Sequence, residues 1–219
     1  MIVWSLISQK GGAGKTTLAI HLAMEAAIRG AKTLLVDLDP QSSASKWGDR
    51  RQSPSIDVDV MSAHTPRLEA VLKEAADDGY AVVILDTAPH ADSAALVSAR
   101  QSRLILVPCR PSILDLDAIG MTLDMAALAK RPCQVVLNAA PIRSRVTQQA
   151  RGVVAKEGHV VADPVIHERV AFRHALVDGR VAQEFEPGGA AATEIADLFS
   201  ALACQDDDML AFHHAREIA

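Results

Sequence analysis

The chain has 219 residues, 49% of them hydrophobic, and carries 22 Lys and Arg against 27 Asp and Glu, a net charge of −5. That balance suits a full apolar core and excludes a disordered tail or a protein that is basic over its whole surface. No run approaches about 18 consecutive apolar residues and no basic-then-apolar leader opens the chain, so neither a membrane span nor a secretion signal is expected.

Strand and helix signals alternate from the start. Residues 2–7, IVWSLI, form an apolar run that leads into QKGGAGKTT, and helical spacing follows over 18–29 until Gly30 stops it. KTLLVD at 32–37 reads as a buried parallel strand, and the strict alternation of IDVDV at 56–60 reads as an edge strand. A helix is expected over 66–77, a strand over 80–86, a short helix over 92–100 and a strand over 104–108. Next comes a helix capped by Ser112 or Asp115 and running to about residue 129. The pattern continues with a strand at 133–138, a helix at 147–157, a last short strand at 159–162, a helix at 168–177 and a closing helix at 190–203 after Gly188-Gly189. Repeated βα units with short turns predict an α/β fold, a single domain with a mainly parallel twisted sheet and helices on both faces. The domain is expected to span residues 1–204, with 205–219 a polar tail that frays or forms a short helix.

A glycine-rich turn between strand and helix gathers backbone N–H groups around one point, where the positive end of the helix also favours a polyphosphate. Lys15 would reach the β- and γ-phosphates, and the Thr16 hydroxyl would ligate Mg²⁺. The usual pattern, G-x-x-x-x-G-K-[ST], places a glycine where this chain has Gln9, and a second lysine, Lys10, stands ahead of Gly11-Gly12. In such sheets ligands lie beyond the carboxyl ends of the strands. There the chain has Asp37-Leu38-Asp39-Pro40-Gln41 and Asp86-Thr87-Ala88-Pro89. Acids so placed hold Mg²⁺ or its waters, orient an attacking water, or simply cap the next turn. Asn138, ending the sixth strand, suits an adenine edge or a turn cap equally.

Lys10-Gly11-Gly12-Ala13-Gly14-Lys15-Thr16-Thr17, with the two aspartate motifs, resembles the ParA/MinD family of phosphate-loop ATPases with a deviant Walker A motif. The short chain and the Pro111-Ser112…Asp115 segment are most similar to the small ParA proteins of plasmid and chromosome partition. The resemblance implies a Mg²⁺-dependent ATPase that binds ATP and ADP and forms an ATP-bound sandwich dimer. Lys10 would cross that interface to the partner's phosphates. Lys15 and the amides of Gly11 through Gly14 would hold the phosphates, and Thr17 would contact the α-phosphate. Thr16, Asp37 and Asp86 would serve the metal, and Asp39 would position the hydrolytic water. Asn138 and the segment that follows Pro164 would border the adenine. It also implies slow hydrolysis stimulated by a centromere-binding ParB-like partner, and a cytoplasmic, nucleoid-associated protein.

Charge distribution bears on the partner. Residues 100–180 carry 12 Lys and Arg against 7 Asp and Glu, and ten of these twelve are arginine: Arg100, Arg103, Arg110, Arg131, Arg143, Arg145, Arg151, Arg169, Arg173 and Arg180. They are candidates for binding DNA without sequence preference, or an ordinary solvated surface. A MinD-like ATPase positioning a protein cargo or acting at the membrane is the alternative. However, the apolar spacing over 209–218 holds one arginine and follows Asp206-Asp207-Asp208, so no stable membrane association is expected. An iron–sulfur ATPase of the same superfamily needs cysteines that two subunits can present to one cluster, and Cys109, Cys133 and Cys204 form no CxxC pair. Cys109 and Cys133 read more simply as core residues, and the cysteine usage fits a reduced compartment. A small-molecule ligase or kinase is a thin alternative, since no second substrate pocket is legible. The eight histidines, among them His21, His90, His213 and His214, form no metal-site pattern, and Trp4 and Trp47 read as packing or surface groups.

Overall fold

The computed structural model describes residues 1–52, 56–89 and 92–204. The expected tail at 205–219, with His213 and His214, and also His90, lie outside the described residues. Six strands form one all-parallel sheet: β1 (Ile2–Leu6), β2 (Thr33–Asp37), β3 (Asp59–Ser62), β4 (Val82–Asp86), β5 (Leu104–Cys109) and β6 (Cys133–Leu137), in the order β3-β2-β4-β1-β5-β6. The four inner strands, β2, β4, β1 and β5, are fully buried and mainly aliphatic because both faces are covered, whereas the edge strand β3 is largely exposed.

Side chains alternate between those faces. Trp4, Leu6, Leu35, Val82, Ile84, Leu106 and Val136 pack beneath α1 (Lys15–Ile28), α2 (Ser43–Gly48), α7 (Val170–Ala175), α8 (Ala182–Phe185) and α9 (Ala190–Ala203). Here Trp4 meets Phe199 with ring centroids 5.4 Å apart, and the Arg29 guanidinium lies 4.7 Å above the Phe199 ring. The opposite face divides between two apolar clusters. One gathers Val3, Leu34, Val36, Val83 and Leu85 under α3 (Leu68–Asp77). The other gathers Ile7, Ile105, Val107, Val135 and Leu137 under α4 (Asp92–Gln101), α5 (Ile113–Ala129) and α6 (Arg145–Lys156). Both tryptophans are packing groups: Trp47 is also buried, and its Nε1 donates to the Arg180 carbonyl at 3.2 Å.

Three expectations are corrected. The edge strand lies at 59–62, because pairing with β2 sets its register from Leu34↔Asp59 to Asp37↔Ser62, while Asp57 turns aside to accept from Arg51. Residues 159–162 form no strand; they run beside β6 with a single bridge, Val135↔Val161. The helix expected from 168 begins at Val170, because His167 pairs with Ala140 and the Glu168 amide donates to the Ala140 carbonyl, which keeps that segment extended. The short helices α2 and α8 had no sequence signal. Ser112, rather than Asp115, caps α5, accepting from the Asp115 amide at 3.3 Å.

Register positions the chemistry. Leu6, Asp37 and Asp86 are partners in one row across β1, β4 and β2, so both carboxylates leave the sheet side by side at its C-terminal edge. They share the alternation of Ile84 and Leu35, which pack on the α1 face, and therefore lie on the side of the sheet that carries α1. The chain turns back there at the switch point between β1 and its two neighbours, where open α/β sheets bind ligands.

His21 anchors α1 to the C-terminal layer. It is fully buried, its Nδ1 lies 2.7 Å from the Thr17 carbonyl and its Nε2 accepts from the Ala182 amide at 3.1 Å, which selects the neutral Nδ1–H tautomer. Burial pushes its pKa down to about 4, the bond to the Thr17 carbonyl and the charge of Glu184 opposing. The unfolded chain takes up this proton near pH 6.5, and the folded chain only near 4. Stability from this residue is therefore complete above pH 6.5 and lost as pH falls toward 4, by about 3 kcal/mol in total. Urea unfolding of wild type and His21→Gln, which keeps a donor and an acceptor but cannot titrate, is expected to show a difference that shifts in favour of the variant across that window. Parallel pH profiles would refute the assignment.

Candidate nucleotide site

The loop between β1 and α1 is built around a buried ammonium. Lys15 is 7% exposed, and its Nζ donates to the Ser8 carbonyl at 3.1 Å and the Lys10 carbonyl at 3.4 Å. Burial holds its pKa below the ordinary lysine value, while Asp86 and Asp39 pull it back up. Gly12 and Gly14 have φ of 78° and 92°, a region costly for any residue with a Cβ. Gly14 is also crowded: a Cβ there would fall 2.2 Å from Asn138 Nδ2. That amide donates to the Ala13 carbonyl at 2.8 Å, so Asn138 fastens the loop to the end of β6.

Lys10 points elsewhere. Its Nζ lies 2.7 Å from Asp115 Oδ1 at the start of α5, and the side chain remains 39% exposed. Asp115 also takes a hydrogen bond from the Ser112 hydroxyl. Partial burial alone would raise the Asp115 pKa, but the bonds from Lys10 and Ser112 and the charges of Lys10 and Arg110 bring it below the usual range.

On the α1 side of the strand ends, Asp86 is fully buried and neither oxygen makes a hydrogen bond. Burial pushes its pKa up to about 7. The nearby Thr16 hydroxyl opposes this without meeting hydrogen-bond geometry, Asp37 adds to the rise and Lys15 opposes it. A buried carboxylate with no donor, beside Thr16 and Asp37, suits a divalent cation that shares its coordination with phosphate and water. Among the described residues no three His, Cys, Asp or Glu side chains gather into a metal cage. Asp37 is engaged on both oxygens, by the Asp39 amide at 3.1 Å and the Ser45 amide at 2.9 Å, and so caps α2 from the strand end. Asp39 accepts from the Gln41 amide at 2.9 Å.

On the other side, a cleft of about 130 Å³ opens between the loop and the chain after β6. Gly12 to Gly14, Thr17 and Leu18 form one wall, residues 166–169 the other, with Asn138 and Phe172 between. A nucleotide laid with its phosphates over α1 would thus have the carboxylates at one end and this cleft at the other. Pro164 does not line the cleft; the segment after it does. Sequence reading pointed to this segment by its place past Pro164 without naming the lining residues Ile166, His167, Arg169 and Phe172.

The candidate DNA-binding arginines do not form one surface. Arg151, Arg169, Arg173 and Arg180 pair with Asp163, Glu194, Glu168 and Asp178. Arg131 donates to the Arg100 carbonyl at the N-terminal edge of the sheet, while exposed Arg110, Arg143 and Arg145 follow the C-terminal ends of β5 and β6. Of the cysteines, Cys109 is buried at the end of β5 and Cys133 half-buried at the start of β6, and burial pushes both thiols up to about 12. Among the described residues no helix is long and apolar enough to cross a membrane.

A parallel sheet with a glycine loop, a buried lysine and strand-end carboxylates at its switch point defines a phosphate-loop nucleotide-binding protein. The chain belongs to the CobQ/CobB/MinD/ParA nucleotide-binding domain family, whose model matches residues 4–181, and is a phosphate-loop ATPase of the ParA/MinD type concerned with partitioning or positioning. It is 35% identical over 179 residues to the maintenance of carboxysome distribution protein A of Gloeobacter kilaueensis, covering 78% of this chain and 81% of that one. To the protein ParA of Rhizobium radiobacter it is 28% identical over 180 residues, with the same 78% and 81% covered. Among solved structures, apo McdA of Cyanothece superposes with a TM-score of 0.78 at 18% identity over 92% of this chain and 99% of that one. MinD of Pyrococcus horikoshii with Mg-ADP gives 0.72 at 20% identity over 95% and 98%.

Two glycines separate the geometry from mere sequence likeness. Gly14→Ala is expected to weaken ATP binding at least tenfold and to cost about 1–3 kcal/mol, through φ strain and displacement of Asn138. Gly11→Ala has open space around the new Cβ and is expected to change stability by less than about 0.5 kcal/mol. Calorimetry and thermal unfolding check both, and equal effects would contradict the packing described.

Proposed function

We propose that this protein is a Mg²⁺-dependent ATPase switch whose ATP-bound form is a sandwich dimer that segregates DNA. The observation that carries this reading is the division of labour between two lysines in one loop. Lys15 turns inward to the loop's own carbonyls, whereas Lys10 leaves the loop and stays partly exposed on Asp115. A cation displayed at the rim serves a partner's phosphates, and ATP then favours the dimer through its differential affinity for the two states.

In this reading Lys15, Gly11, Gly12, Ala13, Gly14 and Thr17 bind the phosphates, and Asn138 and the segment beyond Pro164 border the adenine. Thr16 and Asp86, with Asp37 beside them, hold Mg²⁺, which when bound neutralises charge on the phosphates. Asp39 orients the attacking water. Hydrolysis is slow because positioning of the attacking water depends on assembly. A centromere-binding ParB-like protein stimulates it. Non-specific DNA is held by exposed arginines at the C-terminal ends of β5 and β6, Arg110, Arg143 and Arg145, and the protein is cytoplasmic and nucleoid-associated.

A second reading keeps the switch and replaces the DNA cargo with a protein assembly. It is favoured by the 35% identity to a protein named for carboxysome distribution.

Light scattering on the eluting protein is expected to give a monomer with ADP and a dimer with ATP, and a monomer with both for Lys10→Ala; a wild type that stays monomeric with ATP would end the sandwich reading. DNA retention by the ATP form is expected to fall by about two orders of magnitude between roughly 50 and 300 mM salt, as for several released counterions. Retention that ignores salt would remove the electrostatic model, and no retention at all would favour the protein-cargo reading.

A further inference from the structure

Of the buried side chains of α5, only Asp115 and Thr122 are polar. They stand about two turns apart on the helix and engage consecutive residues of the phosphate loop. Asp115 pairs with the Lys10 side chain, and the Thr122 hydroxyl accepts from the Gln9 amide at 3.3 Å. Thr122 is 1% exposed and Ser8 and Gln9 are buried, so water does not compete for this bond. Packing alone would be served by valine, the isostere of threonine, and a hydroxyl so deeply buried is costly without a partner. The loop is that partner. The Gln9 amide and the Ser8 carbonyl belong to one peptide group, and a trans peptide is planar, so its N–H and C=O point in opposite directions and turn together. The Ser8 carbonyl is the nearer acceptor of Lys15 Nζ, at 3.1 Å against 3.4 Å for the Lys10 carbonyl. One rigid plane thus has the Thr122 hydroxyl at one edge and the Lys15 ammonium at the other.

We propose that Thr122 is a positioning residue of the phosphate site, its hydroxyl setting the Ser8–Gln9 peptide plane and so aiming the Ser8 carbonyl at Lys15. The proposal rests on the reading of Lys15 as the lysine that binds the β- and γ-phosphates. Thr122 touches no phosphate. It acts from α5 by holding the front of the loop in the conformation that keeps the Lys15 side chain folded along it. A loop ordered before the ligand arrives loses less freedom on binding, and that difference appears as affinity. Because Lys15 serves the β- and γ-phosphates and not the α-phosphate, the contribution of Thr122 depends on the number of phosphates. A residue that merely supported the fold would affect every nucleotide alike.

The test is competition of ATP, ADP and AMP against a fluorescent AMP analogue, a probe without a β-phosphate, for wild type, Thr122→Val, Thr122→Ser and Lys15→Ala, with thermal unfolding as the folding control. Thr122→Val keeps the shape and removes the acceptor. It is expected to weaken ATP and ADP about tenfold, the value of one buried hydrogen bond, and to leave AMP within about twofold of wild type. Thr122→Ser keeps the hydroxyl and is expected to hold all three affinities within about twofold, even where loss of the methyl group lowers its melting temperature. Thr122→Ala also lacks the hydroxyl, is expected to act like the valine variant, and takes its place if that variant does not fold. Wild-type affinity for ATP in Thr122→Val, AMP weakened by the same factor as ATP, or a serine variant as weak as the valine one would each overturn the proposal. Lys15→Ala with wild-type affinity for ATP would overturn the reading of Lys15 and this proposal with it. ATP binding lost in Lys15→Ala but unchanged in Thr122→Val would overturn this proposal alone.

Discussion

The ammonium of Lys15 is taken out of water and held by two loop carbonyls, and much of the molecule follows from that burial. An isolated charge in the interior is expensive, so the surroundings must supply oxygen acceptors and negative potential. The acceptors require the loop to wrap closely, which requires left-handed backbone at Gly12 and Gly14. The potential comes from Asp86 and Asp39, the former placed one strand away by the Leu6↔Asp86 register. In turn, Asp86 without a hydrogen-bond donor is tolerable only because it carries a raised pKa or meets cations. Lysine and carboxylate each keep the other from being an uncompensated buried charge.

What could be read from the sequence divides along a physical line. The loop, the strand-end aspartates and most elements are local: their signals lie in contiguous residues whose chemistry and spacing are visible at once. The closing helix at 190–203 was legible to the residue because Gly188-Gly189 and an amphipathic run bound it. The failures came where a distant partner decides. The edge strand took its limits from β2, and α7 started late because Ala140 claimed Glu168. Asn138 was open between adenine contact and turn cap; its bond to the phosphate loop was not foreseen, because it needed the 125-residue separation from Ala13 to be closed in space. Likewise, the ten arginines look like one basic region in sequence, yet Arg151, Arg169, Arg173 and Arg180 pair with acids and the others lie at two opposite edges of the sheet.

The two lysines of the loop show how one short motif serves two ranges of interaction. Lys15 is held by atoms within seven residues of it. Lys10 is specified by Asp115, held in turn by Ser112 at the N-cap of α5, so the state of this lysine is tied to the start of the longest described helix. Any event that gives Lys10 a better anion than Asp115 leaves a buried carboxylate at that helix start. Its remaining partners are then Ser112 and the more distant Arg110. Nucleotide chemistry and the exposed surface of α5 are thereby coupled by a single ion pair.

The limits of the site and the limits of the recognisable domain do not coincide. The family model ends at residue 181, but the cleft wall is secured by Glu194, and His21 of the phosphate-loop helix is satisfied by the Ala182 amide. Beyond the matched region, α9 also supplies Phe199 to the layer beneath β1, and the carbonyl of Ala196 and hydroxyl of Ser200 to the buried Arg29 of the α1 cap. These contacts are made from the face opposite the ligand and involve residues with no chemistry of their own at the phosphates. A substitution in this last helix would therefore act on the nucleotide through geometry, by moving α1 or the 166–169 wall, while leaving every residue of the recognisable motif in place.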